Sequence, residues 1–198
     1  MNRREFGKRI SSLFAALALT ALLPVSLLTG CDAGSLFAQI LAYVGVGLQG
    51  FSAIVNLLVG AGVINPVEGS AIAAAIALVN AGFLALQKAV QDYNAAPADQ
   101  KATLLEKISL AIATLRNDLG SFWDALKISD PKMSALVAGL LEVILSTLAA
   151  FAIKLPPAPA QLSRRVAAVQ PRERSEKQFK KDFNRLLDEA GYGQYRLR

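Results

Sequence analysis

The chain has 198 residues, enough for one domain with additional segments, and 54% of them are hydrophobic while only 7% are aromatic. Ala and Leu dominate the apolar share, which favours helix and disfavours the Val-, Ile- and aromatic-rich strands of β proteins. The net charge of +6 belongs to the two ends: residues 1–30 carry +3, residues 31–154 carry −2 and residues 155–198 carry +5, so the near-neutral centre gives no footing for nucleic-acid binding.

Residues 1–9 are basic, residues 10–28 are apolar and uncharged, and Leu28-Thr29-Gly30-Cys31 follows. This is the layout of an export signal, and Pro24 argues against an uninterrupted structural helix there. Leu28, Thr29, Gly30 and Cys31 resemble the lipobox of bacterial lipoproteins. The resemblance implies that the Cys31 thiol receives a diacylglyceryl group and that cleavage makes Cys31 the mature N-terminus. It also implies a membrane partner held through several acyl chains, a firmer grip than one chain gives. Arg3-Arg4-Glu5-Phe6-Gly7-Lys8 is similar to the twin-arginine export motif, keeping Arg3, Arg4, Phe6 and Lys8. It departs at Asn2, where that motif prefers Ser or Thr, and at Gly7, where it prefers Leu. Twin-arginine transport moves folded bodies; general secretory export is the alternative. Asp32 stands where lipoproteins of some bacteria carry an inner-membrane retention signal. The implied location is the bacterial cell envelope, on the periplasmic or outer side, with the choice of membrane open.

The mature chain reads as helices with punctuation. An apolar segment over about 36–63 contains Gly45, Gly47, Gly50, Gly60 and Gly62 and stops before Asn65-Pro66. A second helix is expected over about 67–93, with Glu68 at its positive end. A third, over about 98–126, has Leu104, Ile108, Ile112, Leu115, Leu119 and Phe122 at three- and four-residue steps. Glu106, Lys107, Arg116, Asn117, Asp118 and Asp124 fall mainly away from that stripe. Asp130-Pro131 should start a fourth helix, over about 131–154, with Asp130 as cap. The Pro- and Ala-rich stretch from Leu155 to Ala160 is an extended spacer. A basic helix over about 173–190 follows, with Phe179, Phe183, Leu186 and Leu187 as one stripe and Gly191 as its end.

The expected fold is all-α, an antiparallel bundle of about four helices with a Pro-rich linker and a short basic C-terminal helix. The expected organisation is a signal peptide (1–30), a lipid-anchored bundle (31–154), a linker (155–172) and a basic tail (173–198). Between Asp32 and Glu68 there is no charge for 35 residues, a run long enough to span a membrane. A soluble bundle is favoured over a partly inserted one because the runs are rich in Ala and Gly and the third helix is amphipathic. The inserted alternative would use small-residue contacts such as Ala135 and Gly139.

Catalytic chemistry finds little support. The chain has no histidine and only one cysteine, so the commonest base and metal ligand are missing and no internal disulfide is possible. No metal or cofactor is expected. Gly45-Val46-Gly47-Leu48-Gln49-Gly50 spells the dinucleotide-binding motif, but without alternating strands a glycine-rich helix is the better reading. Glu142 reads as a rim residue rather than a buried acid. In the tail, Arg164, Arg165, Arg172, Arg174, Lys177, Lys180, Lys181 and Arg185 could contact anionic headgroups or an acidic partner. Phe179 and Phe183 favour docking of the tail, on the bundle or on a membrane. The sequence thus points to a non-enzymatic, lipid-anchored envelope protein with a structural or protein-interaction role. The alternatives are a membrane-active protein whose hairpins insert or oligomerise and, less favoured, an enzyme using carboxylate or Lys chemistry. The oligomeric state is open.

Overall fold

The computed structural model describes residues 32–62, 66–125, 128, 130–158 and 161–198. The export and lipobox residues Arg3, Arg4, Phe6, Lys8, Leu28, Thr29, Gly30 and Cys31 lie outside them, as does the side chain of Asp32. The described residues form an all-α bundle: α1 (Asp32–Gly60), α2 (Pro66–Ala95), α3 (Lys101–Ala125), α4 (Pro131–Ala152), α5 (Arg164–Ala168) and α6 (Glu176–Ala190). No strand occurs among them.

Local chemistry sets the helix ends. Asp130 accepts from the backbone N–H groups of Lys132 and Met133 at 2.8 and 3.1 Å, and Pro131 opens the first turn of α4. Ser175 accepts from Gln178 N–H and starts α6, three residues later than composition suggests, because the chain before it is extended. There Arg172 N–H donates to the Ser146 carbonyl of α4 at 3.0 Å. Gly191, with φ +86°, ends α6 in the left-handed conformation glycine adopts freely.

Helices α1 to α4 form a ring in which consecutive helices are neighbours and α4 returns to α1, the arrangement short links produce. Phe37, Ile40, Val44, Ile54 and Leu58 of α1 meet Leu86 of α2, Ile112 and Leu115 of α3 and Leu140, Ile144 and Leu148 of α4 in one core. The last helix, α6, lies against α4 and α1, while α5 lies against α3. Every residue of α4 from Val143 to Phe151 is therefore buried. A helix apolar all round is what a central position requires. Glu142, at the margin of that run, is exposed.

The polar side of α3 differs from expectation. Arg116 is only 7% exposed and donates to the Val166 carbonyl of α5 at 3.2 Å. Its Nε has no partner among the described residues, and burial pulls its pKa down. Asn117 donates to the Gln161 carbonyl and accepts from Ser163 N–H, both at 3.0 Å. The Pro- and Ala-rich segment is thus stitched to α3, and α5 covers a face that periodicity alone assigns to solvent. Asp118 is half-buried beside Gly82 of α2, and burial pushes its carboxyl up.

The glycines of the Gly45–Gly50 hexapeptide sit within one continuous helix, so the strand–turn–helix setting of a dinucleotide site is missing. Each makes room for a side chain. A Cβ on Gly45 would lie 2.9 Å from the Phe83 ring, one on Gly47 2.7 Å from the Phe179 ring and one on Gly50 2.9 Å from Leu197. Gly139, a candidate contact for a partner helix in lipid, lies instead under Leu186 of α6.

These contacts predict that Gly47→Ala destabilises the protein by about 1–2 kcal/mol, because overpacking outweighs the gain in helix propensity. Gly60→Ala, with nothing within 4 Å of the added carbon, should stay within about 0.5 kcal/mol of wild type. Urea denaturation followed by circular dichroism measures both.

Candidate functional site: a basic groove beneath the tail helix

The site is built by the docking of α6. Phe179, Phe183 and Leu187 are buried, and each such burial is worth roughly 1.5–3 kcal/mol. Phe179 stacks between Tyr43 of α1 and Phe183, each pair with ring centroids 6.0 Å apart.

A polar lock sits beside this apolar contact. The Arg174 side chain is 4% exposed and pairs through Nε with Asp182 at 2.9 Å. Its Nη1 donates to Ser146 Oγ at 2.8 Å and Thr147 Oγ1 at 3.1 Å on α4. Both hydroxyls in turn donate to carbonyls one turn back along α4, Ser146 to Glu142 and Thr147 to Val143. Gln178 donates to the other Asp182 oxygen at 2.7 Å. Burial alone would push the Asp182 carboxyl up. The hydrogen bonds from Arg174 and Gln178, with the charges of Arg174 and Arg172, more than offset this and hold it below the usual Asp value of 3.8.

In front of the lock opens a cavity of about 350 Å³ that includes Gln39, Thr147, Lys154, Arg172, Arg174 and Ser175 in its lining. Lys154 pairs with Glu173, also on its wall, at 2.9 Å. A second cavity of about 460 Å³ shares Gln39 and Lys154 and is otherwise mainly apolar, with Leu36, Phe37, Leu105, Leu155 and Pro156. Ser109 Oγ of α3 donates to the Pro156 carbonyl and fixes that wall. The combined groove flanks the first turns of α1.

The basic residues singled out in the tail fall into three groups. Arg174 is internal and unavailable to an outside partner. Arg165 pairs with Asp124 at 2.9 Å and lies over the Trp123 ring, while Lys180 and Arg185 pair with Glu176 and Glu189 along α6. Arg164, Arg172, Lys177 and Lys181 are exposed and form no ion pair among the described residues. Of these four, Arg172 lines the cavity. Sequence reasoning missed Gln39, Thr147, Lys154 and Ser175 as lining residues. The adjacent Ser146 and Thr147 inside an otherwise apolar helix were the available signal. No group of three or more metal-ligating side chains occurs among the described residues. Comparison with protein-family models, curated proteins and solved structures finds no match.

Asp182→Asn should cost about 2–3 kcal/mol at neutral pH, somewhat less than a fully buried pair because Asp182 keeps an edge toward water. The folded carboxyl titrates below its unfolded value, so its stabilisation is complete above pH 3.8 and disappears as pH falls through the lower folded value. Urea melts of wild type and variant across that range should therefore converge at acid pH.

Proposed function

We propose that the chain is a lipid-anchored helical protein of the bacterial cell envelope, with a structural or protein-interaction role. The basic start, the apolar stretch and the Leu28–Cys31 motif support export and acylation. The observation that carries the choice of a peripheral body over a spanning one concerns α4. Among the described residues, three helical stretches are long and apolar enough to cross a membrane by length and composition: Gly34–Gly60, Ala74–Ala95 and Pro131–Ala152. The last is the most apolar, with mean hydropathy 2.1, yet 72% of its window is buried inside the body. A helix already surrounded by protein gains nothing by entering lipid. Acylation at Cys31 would tether to the membrane a body whose first helix starts at Asp32.

A second reading, a membrane-active protein whose hairpin inserts or oligomerises, draws on α2. Its apolar window is only 17% buried, and Leu78 and Leu84 are each 63% exposed. Neighbouring Ala74, Ala77, Ala81 and Ala85 are exposed as well.

Carbonate extraction of the mature chain carrying Cys31→Ala, exported behind a cleavable signal peptide that is not a lipoprotein's, distinguishes the two. The anchored-body reading expects release into the soluble fraction; retention without acylation overturns it. The double substitution Leu78→Ser, Leu84→Ser should leave urea stability within about 0.5 kcal/mol. A large loss of membrane retention in that variant would instead support insertion through α2.

A further inference from the structure

The two cavities that share Gln39 and Lys154 differ in chemistry in a way that specifies a ligand. The first presents Lys154, Arg172 and the buried Arg174 together with the hydroxyl-bearing Thr147 and Ser175. The second presents Leu36, Phe37, Leu105, Leu155 and Pro156. One is suited to an anion and the other to a hydrocarbon chain, and they have a wall in common. We propose that together they bind one phospholipid molecule, its anionic headgroup against Lys154 and Arg172 and the start of an acyl chain along Leu36, Leu155 and Pro156.

Size, rigidity and charge support this. Cavities of about 350 and 460 Å³ fall within the range of small-molecule sites. The polar wall is held in place before any ligand arrives. Arg174 is fixed by Asp182, Ser146 and Thr147, and the Arg172 backbone is tied to the Ser146 carbonyl. The apolar wall is held by the Ser109 bond to Pro156. Asp182 balances the charge of Arg174 from behind, and Lys154 and Arg172 are the more exposed cations on the wall, alongside the carboxylate of Glu173. Lys154 now faces Glu173, but that pair is 44% and 73% exposed. A solvated pair of this kind is weak, so exchanging Glu173 for a lipid phosphate costs little. Arg172 is exposed and forms no ion pair within 4.0 Å among the described residues, and its guanidinium can meet a phosphate with two parallel hydrogen bonds.

Position adds a further reason, and here the inference rests on the anchoring proposed above. Leu36 and Phe37 lie in the first turns of α1, a few residues after Cys31. An acylated Cys31 would keep the chain at a membrane, where phospholipid is the most abundant amphiphile.

The test uses the mature chain carrying Cys31→Ala, without residues 1–30, titrated calorimetrically in solution with dihexanoyl-phosphatidylglycerol below its micelle concentration. Saturable binding of one lipid per chain is expected. Lys154→Ala combined with Arg172→Ala should weaken it at least roughly tenfold, with an unchanged circular-dichroism melt showing that the fold is intact. Inorganic phosphate and dihexanoyl-phosphatidylcholine should each bind at least roughly tenfold more weakly. No saturable binding, or equal binding by the double variant, overturns the proposal. Phosphate binding as tightly as the lipid would make this a free-anion site, and phosphatidylcholine doing so would remove the requirement for an anionic headgroup; either overturns the proposal as stated. Failure here leaves the anchor intact, and retention of the Cys31→Ala protein in carbonate would overturn the anchored body without touching the groove.

Discussion

The close approach of α6 to α1 and α4 is the constraint on which the rest of the body depends. It is possible only because Gly47, Gly50 and Gly139 present bare backbone where Phe179, Phe183 and Leu186 arrive. Interiors pack at crystal-like density, so one extra carbon at such a point has nowhere to go. Seated there, α6 covers the outer face of α4, and the described span of highest mean hydropathy becomes an interior one. The same seating brings the extended segment before α6 across the end of α4, where the groove opens.

Apolar packing alone would let a short amphipathic helix slide, and the Arg174–Asp182 pair supplies register. A buried pair adds little net stability, since desolvation offsets much of its attraction, but it penalises every arrangement that leaves either charge unpaired. The pair also recruits Ser146 and Thr147, which would otherwise be ordinary hydroxyls bonded to their own helix. One network therefore fixes the tail and shapes the polar half of the groove.

Much of the bundle was legible from periodicity and punctuation. The break at Pro66, the Asp130–Pro131 start and the Gly191 end all carry local chemistry that the backbone must obey. The face of α3 carrying Arg116 and Asn117 was not legible, because what covers it is α5, a five-residue helix with a single buried side chain, Val166. Nothing in α3 itself announces such a partner. The hexapeptide from Gly45 to Gly50 was ambiguous for a related reason: each glycine answers to a ring or chain end remote in sequence. The site was harder still. Among eight candidate cations, periodicity could not separate Arg174, which is buried against α4, from Arg172, which lines the same groove with its side chain exposed. That distinction arises from the path of the extended segment and not from any residue type.

The docking of α6 also bears on when the protein can finish folding. The segment that fills the glycine hollows of α1 follows them far along the chain, so the body is incomplete until that segment has been made. A chain cut short before residue 176 would carry α4 with its outer face bare, an adhesive surface for chaperones and proteases. Burial of Phe179 and Phe183 thereby marks the point at which the outer face of α4 is covered.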